Sequence, residues 1–131
     1  MSISTDQMKY LRKFQMYCSE FIAQMLELSP QNKELEKYNR KFHILCSSNP
    51  FEPIKLYYNH VYPLKKEIDA QNIDYFLNIS KSTFEGDSLL DVLNLCELWE
   101  SLNDDEKEQN KPIIFQYLQI LNKICTKVFT T

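Results

Sequence analysis

With 131 residues, 44 % of them hydrophobic, the chain has the length and apolar content of one globular domain, which we place over residues 1–131. Its single glycine disfavours hairpin-rich sheets and glycine-rich phosphate loops, because both consume glycine. Its net charge of −3 hides an excess of four positive charges over residues 1–66 and of seven negative charges over residues 67–131.

The first third of the chain predicts two helices joined by a short turn. Ser4 and Gln7 have capping-box spacing ahead of a heptad series formed by Leu11, Phe14, Cys18, Phe21, Met25 and Leu28. We predict a first helix over about residues 5–28. Ser29 and Pro30 are expected to end it and to begin a second helix, which stops near residues 47–50 and buries Leu35, Tyr38, Phe42 and Leu45. The short connection predicts an antiparallel hairpin.

Residues 50–77 form a segment that is broken by prolines and rich in tyrosine. Pro53 fits a first helical turn, so a short helix is predicted over residues 54–62, and Pro63 then kinks or ends it. A second short helix is expected over about residues 64–77, and residues 78–84 could be extended. Such a segment can turn a corner over the end of a helical hairpin, with tyrosine rings closing the corner.

The last third predicts further helices. Asp87 or Ser88 should cap a helix that reaches Leu102 and carries Leu89, Leu93, Cys96 and Trp99. Asn103 and Glu106 have capping-box spacing for another turn, and Pro112 marks where the regular part of the final helix should begin. The chain therefore predicts an all-α, single-domain bundle of five to six helices that begins with an antiparallel helical hairpin.

No apolar run is long enough to span a bilayer, and residues 1–13 lack the basic start and apolar middle of a secretory signal. We therefore expect a soluble, intracellular and cytoplasmic protein that makes no membrane contact. The cysteines lie far apart within helical patterns, which favours reduced core thiols at Cys18, Cys46, Cys96 and Cys125.

Residues suited to catalysis or metal binding are few. His43 and Cys46 could share one helix face and offer two ligands to zinc, but a tetrahedral site needs two more. The acidic run over residues 104–108 lacks the alternating oxygen ligands and the glycine of a calcium loop. We expect no enzymatic activity, no metal and no cofactor, and a small metal-dependent enzyme around His43 and Cys46 ranks last among the hypotheses.

Three groups of residues could form interaction surfaces. The aromatic group comes from the broken segment and consists of Tyr57, Tyr58, His60, Tyr62 and Tyr75. The basic group could contact phosphates and consists of Lys33, Lys37, Arg40, Lys41, Lys65 and Lys66. The acidic group consists of Glu97, Glu100, Asp104, Asp105, Glu106 and Glu108. The tyrosines could equally be core residues, and the charged groups could simply be solvated helix faces.

Two blocks of the chain resemble a type of short protein encoded by nucleocytoplasmic large DNA viruses. In the first block, LYYNHVYPLKKEIDAQNIDYFLN, the matching positions are Tyr57, Tyr58, Pro63, Ile68, Tyr75, Phe76 and Leu77. In the second, LLDVLNLCELWESLNDDEKEQNKPIIFQYLQIL, they are Leu98, Trp99, Leu102, Tyr117, Leu118 and Leu121. The resemblance implies a virus-encoded, mostly helical protein without an established activity, and it supplies no functional residue. Pro112 and the residues around it depart from this pattern, which questions the continuity of the last helix.

The sequence favours a non-enzymatic helical protein that acts through protein–protein interaction with a host or viral partner, as a virion component or a host-directed adaptor. The alternative is a nucleic-acid-binding accessory protein that uses the basic amino-terminal half. Self-association is a further hypothesis, because the heptad of the first helix could serve an internal bundle or a dimer. The acidic stretch could also meet the basic half of a neighbouring copy.

Overall fold

The computed structural model describes residues 5–78 and 95–129. The α-helices in these two ranges are α1 (Thr5–Leu28), α2 (Lys33–Ser48), α3 (Glu52–His60), α4 (Lys65–Asp69), α5 (Ile73–Asn78), α6 (Leu95–Ser101) and α7 (Asp104–Phe129), with a 3₁₀ helix at Tyr62–Leu64. No strand occurs within either range, which confirms the predicted all-α class. The expected cap at Asp87 or Ser88, and the expected extended segment beyond Asn78, lie outside the described residues; Asn78 itself ends α5.

The centre of the bundle is the contact between α1 and α7, which is the most extensive between two helices. Both helices carry apolar residues at three- and four-residue spacing, and the largest wholly buried side chains on them are Phe14, Phe21 and Phe115. Removing each such ring from water stabilises the fold by about 1.5–3 kcal/mol. The apolar residues of the heptad predicted in the first helix therefore pack against α7 of the same chain.

Two hydrogen bonds fix the relative direction of α1 and α7. Gln7 Nε2 donates to the Val128 carbonyl oxygen at 3.3 Å, and Gln24 Nε2 donates to the Tyr117 hydroxyl at 2.7 Å. Because a later position on α1 meets an earlier position on α7, the two helices run antiparallel.

The start of α2 differs from the prediction. Its cap is Asn32, whose Oδ1 accepts a hydrogen bond from the Leu35 amide at 3.1 Å. The prediction that Ser29 caps α2 and that Pro30 is its first residue is wrong. Residues 29–32 form a turn in which the Asn32 amide donates to the Ser29 carbonyl oxygen. Gln15 Nε2 donates to the Pro50 carbonyl oxygen at 3.4 Å, so the chain just beyond α2 lies beside the middle of α1; the antiparallel hairpin itself stays a prediction.

The proline-rich segment forms shorter pieces than predicted. Pro53 lies in the first turn of α3, as expected, and Pro63 lies in the 3₁₀ helix. The second predicted helix is divided by a turn into α4 and α5, and within this turn Gln71 has a φ of 52°. Non-glycine residues rarely adopt this left-handed conformation. The division directs α4 onto α7 and α5 onto α6.

The final helix begins at the predicted capping box and does not restart at the proline. The Asn103 amide donates to Glu106 Oε1 at 3.0 Å, and the Glu106 amide donates to Asn103 Oδ1 at 2.8 Å. The prediction that the regular part of the helix begins at Pro112 is wrong, because α7 runs through this residue from Asp104 to Phe129. Pro112 is exposed, and Asn110 Nδ2 stabilises the preceding turn by donating to the Glu106 carbonyl oxygen at 2.8 Å.

Within the two described ranges, no helix combines the length and the apolar content that crossing a membrane requires.

Candidate functional site

A groove with a volume of about 310 Å³ lies between α1 and α7. Its lining residues are Tyr17, Glu20 and Gln24 from α1 with Ile113, Gln116, Tyr117 and Ile120 from α7. Tyr17, Glu20 and Gln24 are three and four residues apart, as are Ile113, Tyr117 and Ile120, so each set shares one side of its helix. Gln116 is next to Tyr117 in the sequence. The tyrosines and isoleucines are half-buried, whereas the glutamate and both glutamines are exposed. The groove therefore has an apolar floor and a polar rim.

Tyr117 connects the floor of the groove to its rim. Its ring packs against Phe21 with centroids 5.3 Å apart, and its hydroxyl accepts the hydrogen bond from Gln24. Burial, followed by the negative charge of Glu20 and a hydrogen bond to that carboxylate, raises the pKa of Tyr117. Tyr117 is therefore a neutral phenol in a fixed orientation. Glu20 is the one charged side chain among the described residues that line the groove.

The aromatic group does not form one exposed surface. Tyr57 is only 5 % exposed, and its ring packs edge-on against Phe14 with centroids 5.4 Å apart. Its hydroxyl lies 2.9 Å from Asn122 Oδ1 and 3.2 Å from the Leu118 carbonyl oxygen. The prediction that Tyr57 belongs to an interaction surface is therefore wrong, because its ring lies in the core and its hydroxyl is hydrogen-bonded there.

The other tyrosines of this group are half-buried in separate contacts. Tyr58 stacks on Phe129 with ring centroids 4.1 Å apart, and it also contacts Tyr62 at 4.9 Å. The Tyr62 hydroxyl lies 2.8 Å from Thr126 Oγ1, so these two rings cover the end of α7. Tyr75 packs edge-on against its neighbour Phe76 at 5.4 Å, and His60 is exposed at the end of α3.

The basic group occupies two places on the bundle. Lys33, Lys37, Arg40 and Lys41 are exposed along α2, whereas Lys65 and Lys66 are exposed on α4. Lys37 Nζ lies 3.9 Å from Glu34 Oε1, and Lys65 Nζ lies 2.7 Å from Asp69 Oδ2. The hydrogen bond to Asp69, followed by its charge, raises the pKa of Lys65. Nearby carboxylates therefore offset part of the positive charge that phosphate binding would use.

The acidic group spans α6 and the first turns of α7. Its exposed members are Glu97, Glu100, Asp104, Asp105 and Glu108, whereas Glu106 is half-buried in the capping box. Three members of the acidic group lie in the first turn of α7, where negative charge interacts favourably with the helix dipole. This role accounts for their presence without a binding partner. Glu97 also lines a recess of about 210 Å³ together with Lys33 and Glu34, so the acidic and basic groups adjoin at this point.

The cysteines form no evident catalytic arrangement. Cys18 and Cys125 are free and buried, and Cys46 is free and half-buried; the side chain of Cys96 is outside the described residues. Burial raises the pKa of Cys125 to about 12, and burial with the proximity of Cys46 and Cys125 raises the pKa of Cys18. These thiols are therefore protonated and weakly nucleophilic at neutral pH.

His43 is exposed on α2, with its ring edge-on to Phe42 at 5.6 Å. Over residues 5–78 and 95–129, no three His, Cys, Asp or Glu side chains are grouped so that they could hold a metal ion.

The sequence does not reveal the groove, because apolar spacing describes one helix at a time. Periodicity predicts which face of a helix is buried, but it does not predict the gap that remains where two helices meet at the surface. Tyr17 and Tyr117 at the edges of apolar stripes were the available signal, since tyrosine suits a position that is part apolar and part wet.

Comparison of the chain with protein-family models, with curated proteins and with solved structures finds no match.

Proposed function

We propose that the chain is a non-enzymatic protein-binding module, and that the groove between α1 and α7 receives an amphipathic segment of a partner protein. The observation that supports this function is the composition of the groove, which combines two tyrosines and two isoleucines with a single carboxylate at the rim. Tyrosine provides a large contact area at little cost in side-chain entropy and is enriched where interfaces bind most strongly.

The groove also favours a particular partner chemistry. Its volume accommodates one or a few side chains, and its apolar floor suits an aliphatic or aromatic residue. Glu20, with no cation beside it in the lining, suits a lysine or arginine on the same segment. An amphipathic helix that carries an apolar side chain next to a basic one meets both conditions.

The other features of the molecule agree with binding rather than catalysis. The described thiols are free and protonated, and the two histidines lie exposed on separate helices. Nucleic-acid binding has less support, because Lys37 and Lys65 lie beside carboxylates. A viral origin, with a role in the virion or as a host-directed adaptor, belongs to this proposal through the sequence resemblance alone.

The test is a selection from a display library of random peptides that are long enough to form a helix. Selection on the protein should enrich peptides with apolar residues at three- and four-residue spacing and a lysine or arginine beside them. In calorimetric titration of a selected peptide, Ile120→Glu should weaken binding at least about tenfold, because it places a charge on the apolar floor. Glu20→Gln should remove most of the salt dependence of binding.

Ile44→Glu is the matched control. Ile44 is 66 % exposed on α2 and lies outside the groove, so its replacement should leave peptide binding unchanged. Circular dichroism should show that all three variants remain folded. Selected peptides that bind the Ile120→Glu variant as tightly as the unchanged protein would contradict the proposal.

A further inference from the structure

The solvent-facing side of α1 carries a second heptad pattern, opposite the one that is buried. Its members recur in steps of four and three residues, and all of them are exposed: Lys9, Lys13, Met16, Glu20, Ala23 and Glu27. We name this set the α1 stripe. Both cations lie in its first half and both anions in its second half, and Met16, which is 49 % exposed, lies near the middle.

Contacts within α1 explain this order of charges only in part, since Lys13 Nζ lies 5.7 Å from the centroid of the Tyr10 ring and, in the described ranges, no such contact involves Lys9. Lys9 and Lys13 are four residues apart, where like charges repel. In the described part of the chain, no carboxylate forms an ion pair with either lysine. The adjacent half of α7, residues 117–129, contains no acid. The charges of Lys9 and Lys13 are therefore not neutralised by this part of α7.

The order of charges along the α1 stripe is complementary to the same order in the reverse direction. When two stripes are aligned antiparallel, Lys9 of each copy lies opposite Glu27 of the other, and Met16 lies opposite Glu20. Lys13 lies opposite the small Ala23, within one helical turn of Glu20. In parallel alignment, cations would face cations and anions would face anions. Only the antiparallel alignment therefore pairs opposite charges, and a two-fold axis makes each contact occur twice.

We propose that the partner of the α1–α7 face is a second copy of this chain, which packs its α1 stripe antiparallel against the first. This inference rests on the proposed function, since it names the partner of the same surface. The α1 stripe also has the chemistry that the groove favours, because Met16 is an apolar side chain with Lys13 one turn away, and Glu20 belongs to both the stripe and the groove lining. Exposed ion pairs are weak and are screened by salt, so the association is reversible and salt-sensitive.

Sedimentation velocity at low and high salt tests this pairing. The unchanged protein should shift from monomer to dimer as its concentration rises at low salt, and high salt should reverse the shift. The double variants Lys9→Glu/Lys13→Glu and Glu20→Lys/Glu27→Lys should each associate at least about tenfold more weakly. Their equimolar mixture should form a heterodimer, and the variant with all four charges exchanged should dimerise by itself, because its stripe is again complementary in reverse.

Lys66→Glu on α4 and Glu36→Lys on α2 are matched controls, since both side chains are exposed outside the stripe and their replacement should leave dimerisation unchanged. A chain that stays monomeric at every concentration and salt would overturn the inference, as would dimers that survive in both double variants. Failure of the inference is separable from failure of the proposed function. The Lys9→Glu/Lys13→Glu variant keeps Glu20 and the groove, so selected peptides should still bind to it even though it no longer dimerises. A protein that dimerises as expected but binds no selected peptide would count against the proposed function and not against the dimer.

Discussion

At the scale of single residues, Asn122 is the buried side chain with the least complete hydrogen bonding. It is 1 % exposed, its Oδ1 accepts from the Tyr57 hydroxyl at 2.9 Å, and its Nδ2 has no partner within the described residues. A buried amide that loses its remaining partner costs about 1–3 kcal/mol. The hydroxyl of Tyr57 therefore stabilises the core beyond the packing of its ring.

Tyr57→Phe should lower the free energy of unfolding by about 1–3 kcal/mol, because it keeps the ring but leaves Asn122 Oδ1 unsatisfied. Urea denaturation measures the change. Tyr62→Phe is the matched control and should cost less, since the Tyr62 hydroxyl is half-buried beside Thr126. The double variant Tyr57→Phe/Asn122→Leu should recover much of the loss, because both polar partners are then absent. A Tyr57→Phe variant as stable as the unchanged protein would show that the hydrogen bond adds nothing.

The misplacement of Tyr57 shows what the sequence could not reveal at this scale. Tyr57 and Tyr58 are neighbours in a segment with apolar residues on several sides, so spacing alone does not say which of them faces inward. The choice depends on a polar partner for the buried hydroxyl, and that partner, Asn122, is 65 residues away. Long-range hydrogen bonds of this kind leave no local pattern in the sequence.

At the scale of helices, the caps decide where the elements begin. Asn32→Ala should lower the free energy of unfolding by about 1 kcal/mol, because the side chain that accepts from the Leu35 amide is removed. Ser29→Ala should have a smaller effect, since Ser29 does not cap α2. Thermal and urea denaturation of both variants compare the two assignments. A larger loss for Ser29→Ala than for Asn32→Ala would favour Ser29 as the cap.

The buried faces of the long helices were predictable from the sequence, whereas the bounds of the short helices α4 and α5 were not, for a physical reason. Apolar spacing persists over many turns in α1 and α7, so their buried faces are apparent before any contact is known. The pieces α4 and α5 are too short to be stable alone, and tertiary contacts set their bounds. Ile68 is buried against the bundle, its carbonyl oxygen accepts from Gln119 Nε2 at 3.3 Å, and the following turn needs the unusual φ of Gln71.

At the scale of the whole molecule, four helices contribute thiol and phenol groups to one core, and all of these groups are buried except Tyr38, which is half-buried. They are Cys18 from α1, Tyr38 from α2, Tyr57 from α3 and Cys125 from α7, and burial is the largest cause that raises each pKa. The folded state therefore keeps these protons to higher pH than the unfolded state does. For Cys125 this contribution to stability is complete below the ordinary cysteine pKa of 9.0 and is lost as the pH rises to about 12, whereas for the two tyrosines the loss begins only above their ordinary pKa of 10.0.

The free energy of unfolding should thus decrease above about pH 9, by about 1.4 kcal/mol per pH unit for each group that ionises only on unfolding. Urea denaturation at a series of alkaline pH values measures the slope. Cys125→Val, which keeps an apolar side chain of similar size, should reduce the slope without changing the fold. An identical slope in this variant would mean that Cys125 is not among the groups responsible.

The candidate surface is also a property of the whole molecule. The exposed charges of α1 could be read from the sequence, but their significance depends on the antiparallel α7, whose adjacent half contains no acid to neutralise Lys9. The groove exists only because two apolar faces diverge at the surface. Composition indicated an interaction protein with charge asymmetry, and packing was needed to place the tyrosines and Glu20 at one site.

Pro112 has a consequence for how the molecule opens locally. Proline has no amide hydrogen, so the Glu108 carbonyl oxygen lacks its regular helical donor, and the ladder of α7 is interrupted eight residues after the helix begins. Residues 104–111 are then held chiefly by the capping box and by Asn110, whereas residues 113–129 are held by the core. We therefore expect amide hydrogens of residues 104–111 to exchange with solvent faster than those of residues 113–129, which hydrogen-exchange mass spectrometry would measure.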